Sequence, residues 1–528
     1  MAPPHYLHIS RIHDLKQQRI FKLARFGNFK KDANWHVRVA SALCEANHLE
    51  AAIDMYHKAE EGDHDKWMIK SGVAMAYAAQ GQYEKAVDQA KMSLLCKPRP
   101  DSVSESNIYL NLSIWYGRCG EGISQTGAAK KAYSLDSDSF QKIAHFFCVL
   151  GWRSKFDRLF TLCKSLSKES PGEDRLVHLL LGWEEGHALF SRAAVEGGDS
   201  KRIQFAEHIF KRTVDVARNN GDTEGAVFEE YLRGNFYWQY LMDAGHAYRI
   251  WKNMGVEYLE DPEIQLYVER LQCRALGELY LKMALISDSV PKAKSSDWIT
   301  RLESLVTGDS ARSSAQQDAD YRADAAVMLG YWERKRGGDN KSRELFRTTI
   351  CQGIRILEDQ DPWNDQEGYI MLGRALVRAG YPEEGRRAFA TAVTSPTQPS
   401  HSAVQRAKGK TLNIYGTILA CRGGSGCSVK DWDKIYMCQV CQEVALCGRC
   451  LKKLRHDKLQ FVCDKAHTVS PVYEKDKSLA EPITDLPEWL DKQKKLWGID
   501  GTTKAAIPLP TPGIVIDSQR RLQVCPRG

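Results

Sequence analysis

Apolar positions upstream of residue 400 recur at intervals of three and four, and strand-like alternation is nearly absent, so the pattern predicts amphipathic helices arranged in pairs. The pairs have a period. Aligning residues 47–59 (NHLEAAIDMYHKA) with residues 81–93 (GQYEKAVDQAKMS) places Ala52 over Ala86 and Ala59 over Ser93, an offset of 34 residues. Blocks 33–66 and 67–100 then abut without a gap, and Pro98 closes the second. In each block a small residue, Ala40 or Ala74, precedes a large one, Leu43 or Tyr77, by three positions. Ala52 and Ala86 stand where two helices must approach closely.

A 34-residue helix-turn-helix unit with small and large residues at these places resembles the tetratricopeptide repeat. A third unit, about 106–139, keeps Leu112, Tyr116, Gly120, Ala129 and Ala132. Another, about 366–399, keeps Leu372, Gly373, Leu376, Gly380, Phe389 and Ala392, followed by Pro396. Residues 140–365 are degenerate but still read as helix pairs: 178–192 with 202–218, 228–242 with 245–257, and 321–336 with 342–358. The expected fold is all-α, a tetratricopeptide-like helical repeat solenoid with a small C-terminal zinc-binding module. A solenoid grows by stacking, which explains 528 residues with 43% hydrophobic content and no Rossmann or barrel pattern. The implied segments are a basic N-terminal helix (1–32), clear repeats (33–139), degenerate repeats (140–365), a last repeat and capping helix (366–420), the zinc module (421–475) and a tail (476–528).

Charge adds little to this picture. The net charge of +7 is concentrated in residues 1–31, where seven Lys and Arg face Asp14 alone, and this disfavours nucleic acid as a partner. Ile12, Leu15, Ile20, Leu23 and Phe26 lie on one face of that stretch, which reads as a first helix packed on the array. No apolar run is long enough to span a membrane, and no secretory signal is visible, so a cytoplasmic location is expected, with the nucleus as an alternative.

Chemistry enters near the carboxyl end. Cys421, Cys427, Cys438, Cys441, Cys447, Cys450, Cys463 and His467 form the series C-x5-C-x10-C-x2-C-x5-C-x2-C-x12-C-x3-H, eight ligands for two four-coordinate Zn2+ ions. A C-x2-C turn aims both sulfurs at one point about 2.3 Å from an ion, and reduced intracellular thiols favour metal over disulfides. Gly423, Gly424 and Gly426 let the first segment turn. The expected arrangement is interleaved: Cys421, Cys427, Cys447 and Cys450 on one ion, Cys438, Cys441, Cys463 and His467 on the other. His456 competes with His467, which is preferred because it pairs with Cys463 across a short turn, whereas His456 sits in a helix expected over 451–459.

The stretch Cys438-Gln-Val-Cys441-Gln-Glu-Val-Ala-Leu446-Cys447-Gly-Arg-Cys450 resembles the ZZ-type zinc finger in ligand spacing and in Leu446. Val444 stands where that family has an aromatic residue and Ala445 where it has the aspartate that grips a peptide amino terminus. The first pair, spaced x5, and the Cys463/His467 pair are further departures. The full layout is similar to fungal tetratricopeptide-repeat proteins with a ZZ-like Cys/His module.

Catalytic motifs fail on inspection. Gly409-Lys410-Thr411 has Val404 where a phosphate-binding loop needs glycine, the Gly423–Cys427 run ends in cysteine where a nucleophile elbow needs glycine, and eight ligands leave neither ion an open position. The expectation is a non-catalytic scaffold or adaptor that binds a protein or peptide in the concave groove, its zinc module structural. Relatives that hold a chaperone's acidic tail use cations at inner-helix places where this chain has Val37, Ser41, Gly72, Asn107 and Asn111, so an acidic chaperone tail is disfavoured. Two alternatives remain open: a ubiquitin-ligase subunit using the module in RING or B-box style, and the sensor arm of a separately encoded STAND-type NTPase. Residues 485–497, with Pro487, Trp489, Leu490, Leu496 and Trp497, read as a short docking helix on the module or on the last repeat, and 501–528 as disordered.

Overall fold

The structure is a computed structural model of the chain. It describes residues 32–61, 66–167, 174–196, 198–256, 259–288, 295–307, 318–359, 365–394, 434–438, 440–441, 445–456, 463, 465, 467–474 and 482–499. The basic segment 1–31, Pro396, Gly409–Thr411, Cys421, Gly423–Cys427 and the tail 501–528 lie outside these residues. Residues 1–173 and 174–528 form two compact units.

The first unit is a succession of antiparallel helix pairs: α1 (Ala33–Glu45) with α2 (Leu49–Glu60), α3 (Lys66–Ala79) with α4 (Tyr83–Leu95), α5 (Ser102–Cys119) with α6 (Gly122–Leu135), and α7 (Phe140–Trp152) with α8 (Phe156–Leu166). Asp32 and Asp101 start their helices by accepting the amide N–H of Trp35 and Ser104 at 2.9 and 2.8 Å. The small residues that set the sequence period are the helix contacts. Ala40, Ala52, Ala74 and Ala86 are all fully buried, and Ala40 and Ala52 share a core with Leu43, Tyr56 and Ile69. Each large apolar side chain buried in such a seam contributes about 1.5–3 kcal/mol.

The second unit begins with α9 (Arg175–Leu180) and α10 (Glu184–Val195), then α11 (Ser200–Asn219) with α12 (Thr223–Asn235). A π-helical turn, Phe236–Tyr240, extends α12 and leads into α13 (Ala244–Lys252). The long α14 (Pro262–Asp288) and α15 (Ser295–Thr307) precede two further pairs, α16 (Asp318–Lys335) with α17 (Asp339–Glu358) and α18 (Asp365–Ala379) with α19 (Pro382–Thr394). The helix expected over 178–192 is broken. Gly182 turns the chain at φ 67, and its amide donates to Glu229 Oε1 at 2.7 Å, an anchor on α12 that local periodicity does not show.

One turn geometry recurs where the sequence does not. Between the two helices of a pair, Asn47, Gly81, Gly120 and Ser154 in the first unit, and Gly221, Gly337 and Gly380 in the second, all adopt left-handed φ between 55 and 93°. In each case the next amide reaches back to a carbonyl five residues earlier, as His48 does to Leu43, Lys155 to Leu150, Gly338 to Glu333 and Tyr381 to Leu376, at 2.8–2.9 Å. This is the Schellman closure of a helix C-terminus. Its repetition through the degenerate region makes the architecture a tetratricopeptide-like helical repeat in both units.

After α19 comes the small Cys/His module. Its strands β1 (Lys434–Cys438), β2 (Ala445–Cys447) and β3 (Val469–Glu474) form an antiparallel sheet in the order β2-β1-β3, and α20 (Gly448–Arg455) follows β2. The sheet itself was not legible in the sequence, because its strands are three to six residues long. Finally α21 (Leu486–Trp497) packs on the last repeat pairs, with Trp489, Leu490 and Trp497 in a core shared with Phe346, Leu372 and Phe389. Of the two targets the sequence left open for this helix, the last repeats receive it.

Candidate metal centre

The sheet builds the centre. Cys438 ends β1 and pairs with Val469 at the start of β3, two residues beyond His467, so strand pairing carries His467 to the Cys438–Cys441 turn. Cys463 arrives from the segment between α20 and β3. The ligand atoms of Cys438, Cys441, Cys463 and His467 all lie within 4.8 Å of one another.

Their spacing fits a tetrahedral ion. Bonds of about 2.3 Å to sulfur and about 2.0 Å to nitrogen require sulfur–sulfur edges of about 3.8 Å and sulfur–nitrogen edges of about 3.5 Å. His467 Nδ1 stands 3.6, 3.4 and 3.5 Å from the sulfurs of Cys438, Cys441 and Cys463, and the Cys441 and Cys463 sulfurs are 3.8 Å apart. The four residues fit a metal and can hold one. All three cysteines are buried, which suits a closed structural site.

The backbone prepares a thiolate. Cys438 Sγ accepts the amide N–H groups of Val440 and Cys441 at 3.3 and 3.1 Å. Burial opposes ionisation of Cys438, but the neighbouring thiols and these amides outweigh it and hold its pKa well below the ordinary thiol range. Cys463 moves the other way, pushed up by the sulfurs of Cys438 and Cys441 and by burial. His456 stays apart: its Nδ1 lies 2.7 Å from the Lys452 carbonyl, on the exposed end of α20. That helix runs over Gly448–Arg455, starting earlier than the 451–459 expected, because Cys447 serves as its N-cap.

Cys447 and Cys450 are also buried, Cys447 at the end of β2 opposite Ile435 and Cys450 in the first turn of α20. Cys421 and Cys427, expected to join them, lie outside the described residues. Among the described residues of the repeats, Cys44, Cys96, Cys119, Cys148, Cys163, Cys273 and Cys351 form no disulfide; burial pushes the Cys163 thiol up, as expected of a small buried hydrophobe.

Two cations that sequence reading passed over reach this centre from the repeats. Arg378 of α18 is 2% exposed, and its Nη2 donates to the Cys441 carbonyl at 3.1 Å. Lys282 of α14 pairs with Glu278 at 2.6 Å and lies 5.2 Å from the Trp238 ring centroid. Burial works against the Lys282 ammonium, but Cys441 and Glu278 hold its pKa above the usual lysine range. The available signal was the run 368–379, in which Arg374 and Arg378 are the only charged residues among small and apolar ones, and the structure buries nearly all of it. A helix covered all round, with an arginine inside it, has a partner on every face.

No family model matches the chain, and no curated protein matches it. Solved structures similar to it include YrrB, a TPR protein with an unusual peptide-binding site, at 15% identity and TM-score 0.28 over 38% of this chain and 93% of that one. Naa15/Naa10 bound to HypK-THB is similar at 12% identity and TM-score 0.27, over 81% and 71% of the two chains. Yeast Tom70 follows at 13% identity and TM-score 0.20, over 72% and 85%. At such scores the likeness adds no weight to the helix pairs and turns described above.

Proposed function

We propose that the chain is a non-catalytic protein-interaction scaffold whose helix pairs hold a peptide or protein partner and whose Cys/His module is a structural zinc cap. The supporting observation is the tetrahedral spacing of Cys438, Cys441, Cys463 and His467 inside a core that also contains repeat residues, Leu279, Met328 and Trp332 among them. Such a closed, four-ligand site organises structure and leaves no open position for a substrate. A second ion on Cys421, Cys427, Cys447 and Cys450 completes the reading.

For the partner, the surface of the first unit favours apolar peptide. Met68 and Met75 on α3 and Ile114 on α5 are 38, 49 and 40% exposed, next to the inner-helix places Gly72, Asn107 and Asn111. Asn111 Nδ2 donates to the Met75 sulfur at 3.4 Å, which joins the two helices across this face. Flexible methionine side chains adapt to varied apolar partners. No helix among the described residues is long and apolar enough to cross a membrane. We place the protein in the cytoplasm, where its thiols stay reduced.

A peptide-display selection against the full chain tests the reading: apolar peptides should enrich on the wild type and be lost with Met75→Glu and Ile114→Glu. Enrichment that ignores both substitutions overturns the groove assignment. Discharge of a ubiquitin-charged enzyme by the purified chain would favour a ligase subunit, and co-purification with a nucleotide-binding partner would favour a sensor arm.

A further inference from the structure

We propose that the cleft between α12 and α13 is a further recognition site of this chain, one that takes the phosphate of a phosphorylated serine or threonine on a partner protein. The proposal rests on the reading of the chain as a peptide-binding scaffold and adds a site in the second unit to the apolar face of the first.

The cleft is built from two helix faces. Glu230 and Arg233 stand three residues apart on α12, while His246, Arg249, Ile250 and Asn253 recur at intervals of three and four along α13 and its C-cap. Each set therefore lies on one side of its helix. Together they line a space of about 230 Å³. Drug-sized ligands fill roughly 300–1,000 Å³, so this cleft is small for a cofactor and suits the head group of one side chain.

The lining charge favours an anion. Glu230 accepts from Arg218 Nη2 at 3.2 Å and from Arg233 Nη1 at 3.1 Å, so two guanidinium groups share one carboxylate. Asp243 Oδ2 accepts the Nδ1–H of His246 at 2.6 Å, which leaves Nε2 of that ring for a ligand. Arg249 is exposed and has no ion-pair partner among the described residues. Glu207 of α11 acts on Tyr237 together with Arg233, but it does not line the cleft. The lining side chains thus carry Arg233 and Arg249 against Glu230 alone, before His246 takes up a proton. A phosphate monoester, with about two negative charges and three acceptor oxygens at neutral pH, can use the donors of Arg249, Arg233, His246 and Asn253 together. A carboxylate has one charge and two oxygens for the same donors.

The backbone beside the cleft is unusual as well. The π-helical turn Phe236–Tyr240 buries Phe236 and Trp238 and stacks Tyr237 on His246, with ring centroids 5.0 Å apart and planes at 14°. The Tyr237 carbonyl accepts the Asp243 amide at 2.9 Å, and Met242, one residue earlier, adopts φ 56, a left-handed conformation that long side chains seldom take. Such backbone concentrates at binding sites, where the surrounding structure holds it. Here it fixes the His246 imidazole between Tyr237 and Asp243.

The test pans a degenerate phosphoserine peptide library on the full chain, beside the same library unphosphorylated and with glutamate in place of phosphoserine, for wild type, Arg249→Ala and Arg249→Lys. Wild type is expected to enrich phosphorylated peptides at least about tenfold over both other libraries, Arg249→Ala to remove that preference, and Arg249→Lys to fall between. Arg249 is exposed, so the substitution leaves the core intact. Absence of the preference in wild type overturns the proposal, as does a preference that survives Arg249→Ala. Equal enrichment of the glutamate library overturns it in favour of a carboxylate site, and single-stranded RNA that binds wild type and is lost with Arg249→Ala overturns it in favour of nucleic acid. Apolar peptides enriched without any phosphopeptide preference overturn the cleft alone. A chain that enriches no peptide of either kind overturns the scaffold reading with it.

Discussion

His467 Nδ1 lies 3.6 Å from the Cys438 sulfur because β1 and β3 pair Cys438 with Val469. Sheet register, not sequence proximity, brings the two residues together in a cluster that could hold a metal ion. His467→Ala and Cys441→Ser should each lower bound metal by about one ion per chain, since a structural zinc needs all four ligands. His456→Ala should leave the metal content unchanged, because its Nδ1 faces the Lys452 carbonyl. Elemental analysis of the three purified variants checks this. Loss of metal in His456→Ala with retention in His467→Ala would reverse the assignment.

Gly373 is a packing residue. A Cβ there would stand 2.8 Å from the Phe389 ring, which is fully buried between α18 and α19. Gly373→Ala should destabilise the second unit by about 1–3 kcal/mol through overpacking. Gly127 on α6 is the control, since nothing lies within 4 Å of its added Cβ. Gly127→Ala should stabilise by up to about 1 kcal/mol, because alanine favours the helix. Denaturant unfolding of both variants gives the comparison, and equal effects would contradict the packing account.

Trp489 fastens α21 to the last repeats. Its Nε1 donates to Glu384 Oε2 at 2.7 Å, Gln493 reaches the same oxygen at 3.3 Å, and the ring is 2% exposed. Asp485 caps the helix and Gly498 closes it in a left-handed turn. Trp489→Ala should cost about 3–5 kcal/mol of this contact and free the helix for exchange and proteolysis. Persistent protection of Leu486–Trp497 in the variant would show that other contacts suffice.

His145 gives the first unit a pH dependence. Burial lowers its pKa from 6.5 to about 4, and its Nε2 lies 2.9 Å from the Ser113 hydroxyl. The folded pKa is depressed, so the unfolded chain binds the proton more tightly. The contribution is fully present above pH 6.5 and is lost as pH falls toward 4, amounting to roughly 3 kcal/mol at most. Unfolding followed between pH 7 and 4 should show this slope in the wild type and a flatter one in His145→Gln. Identical slopes would remove His145 as its source.

The chain alone determined the helix pairs, because Ala40, Ala52, Ala74 and Ala86 repeat at a period that only a close helix approach requires. It also suggested the grouping of Cys438, Cys441, Cys463 and His467 through their spacing, but the strand pairing of Cys438 with Val469 is what brings His467 to the cysteines. It did not reveal that Ser154 and Gly337 close their helices as Gly81 does, because a left-handed turn tolerates several residues and leaves a weak mark. Nor did it reveal Arg378, whose contact with Cys441 spans 63 residues of chain. Only the packed structure decides which buried cation meets which ligand, since charge compensation in a core depends on distance in space and leaves no periodic trace along the sequence.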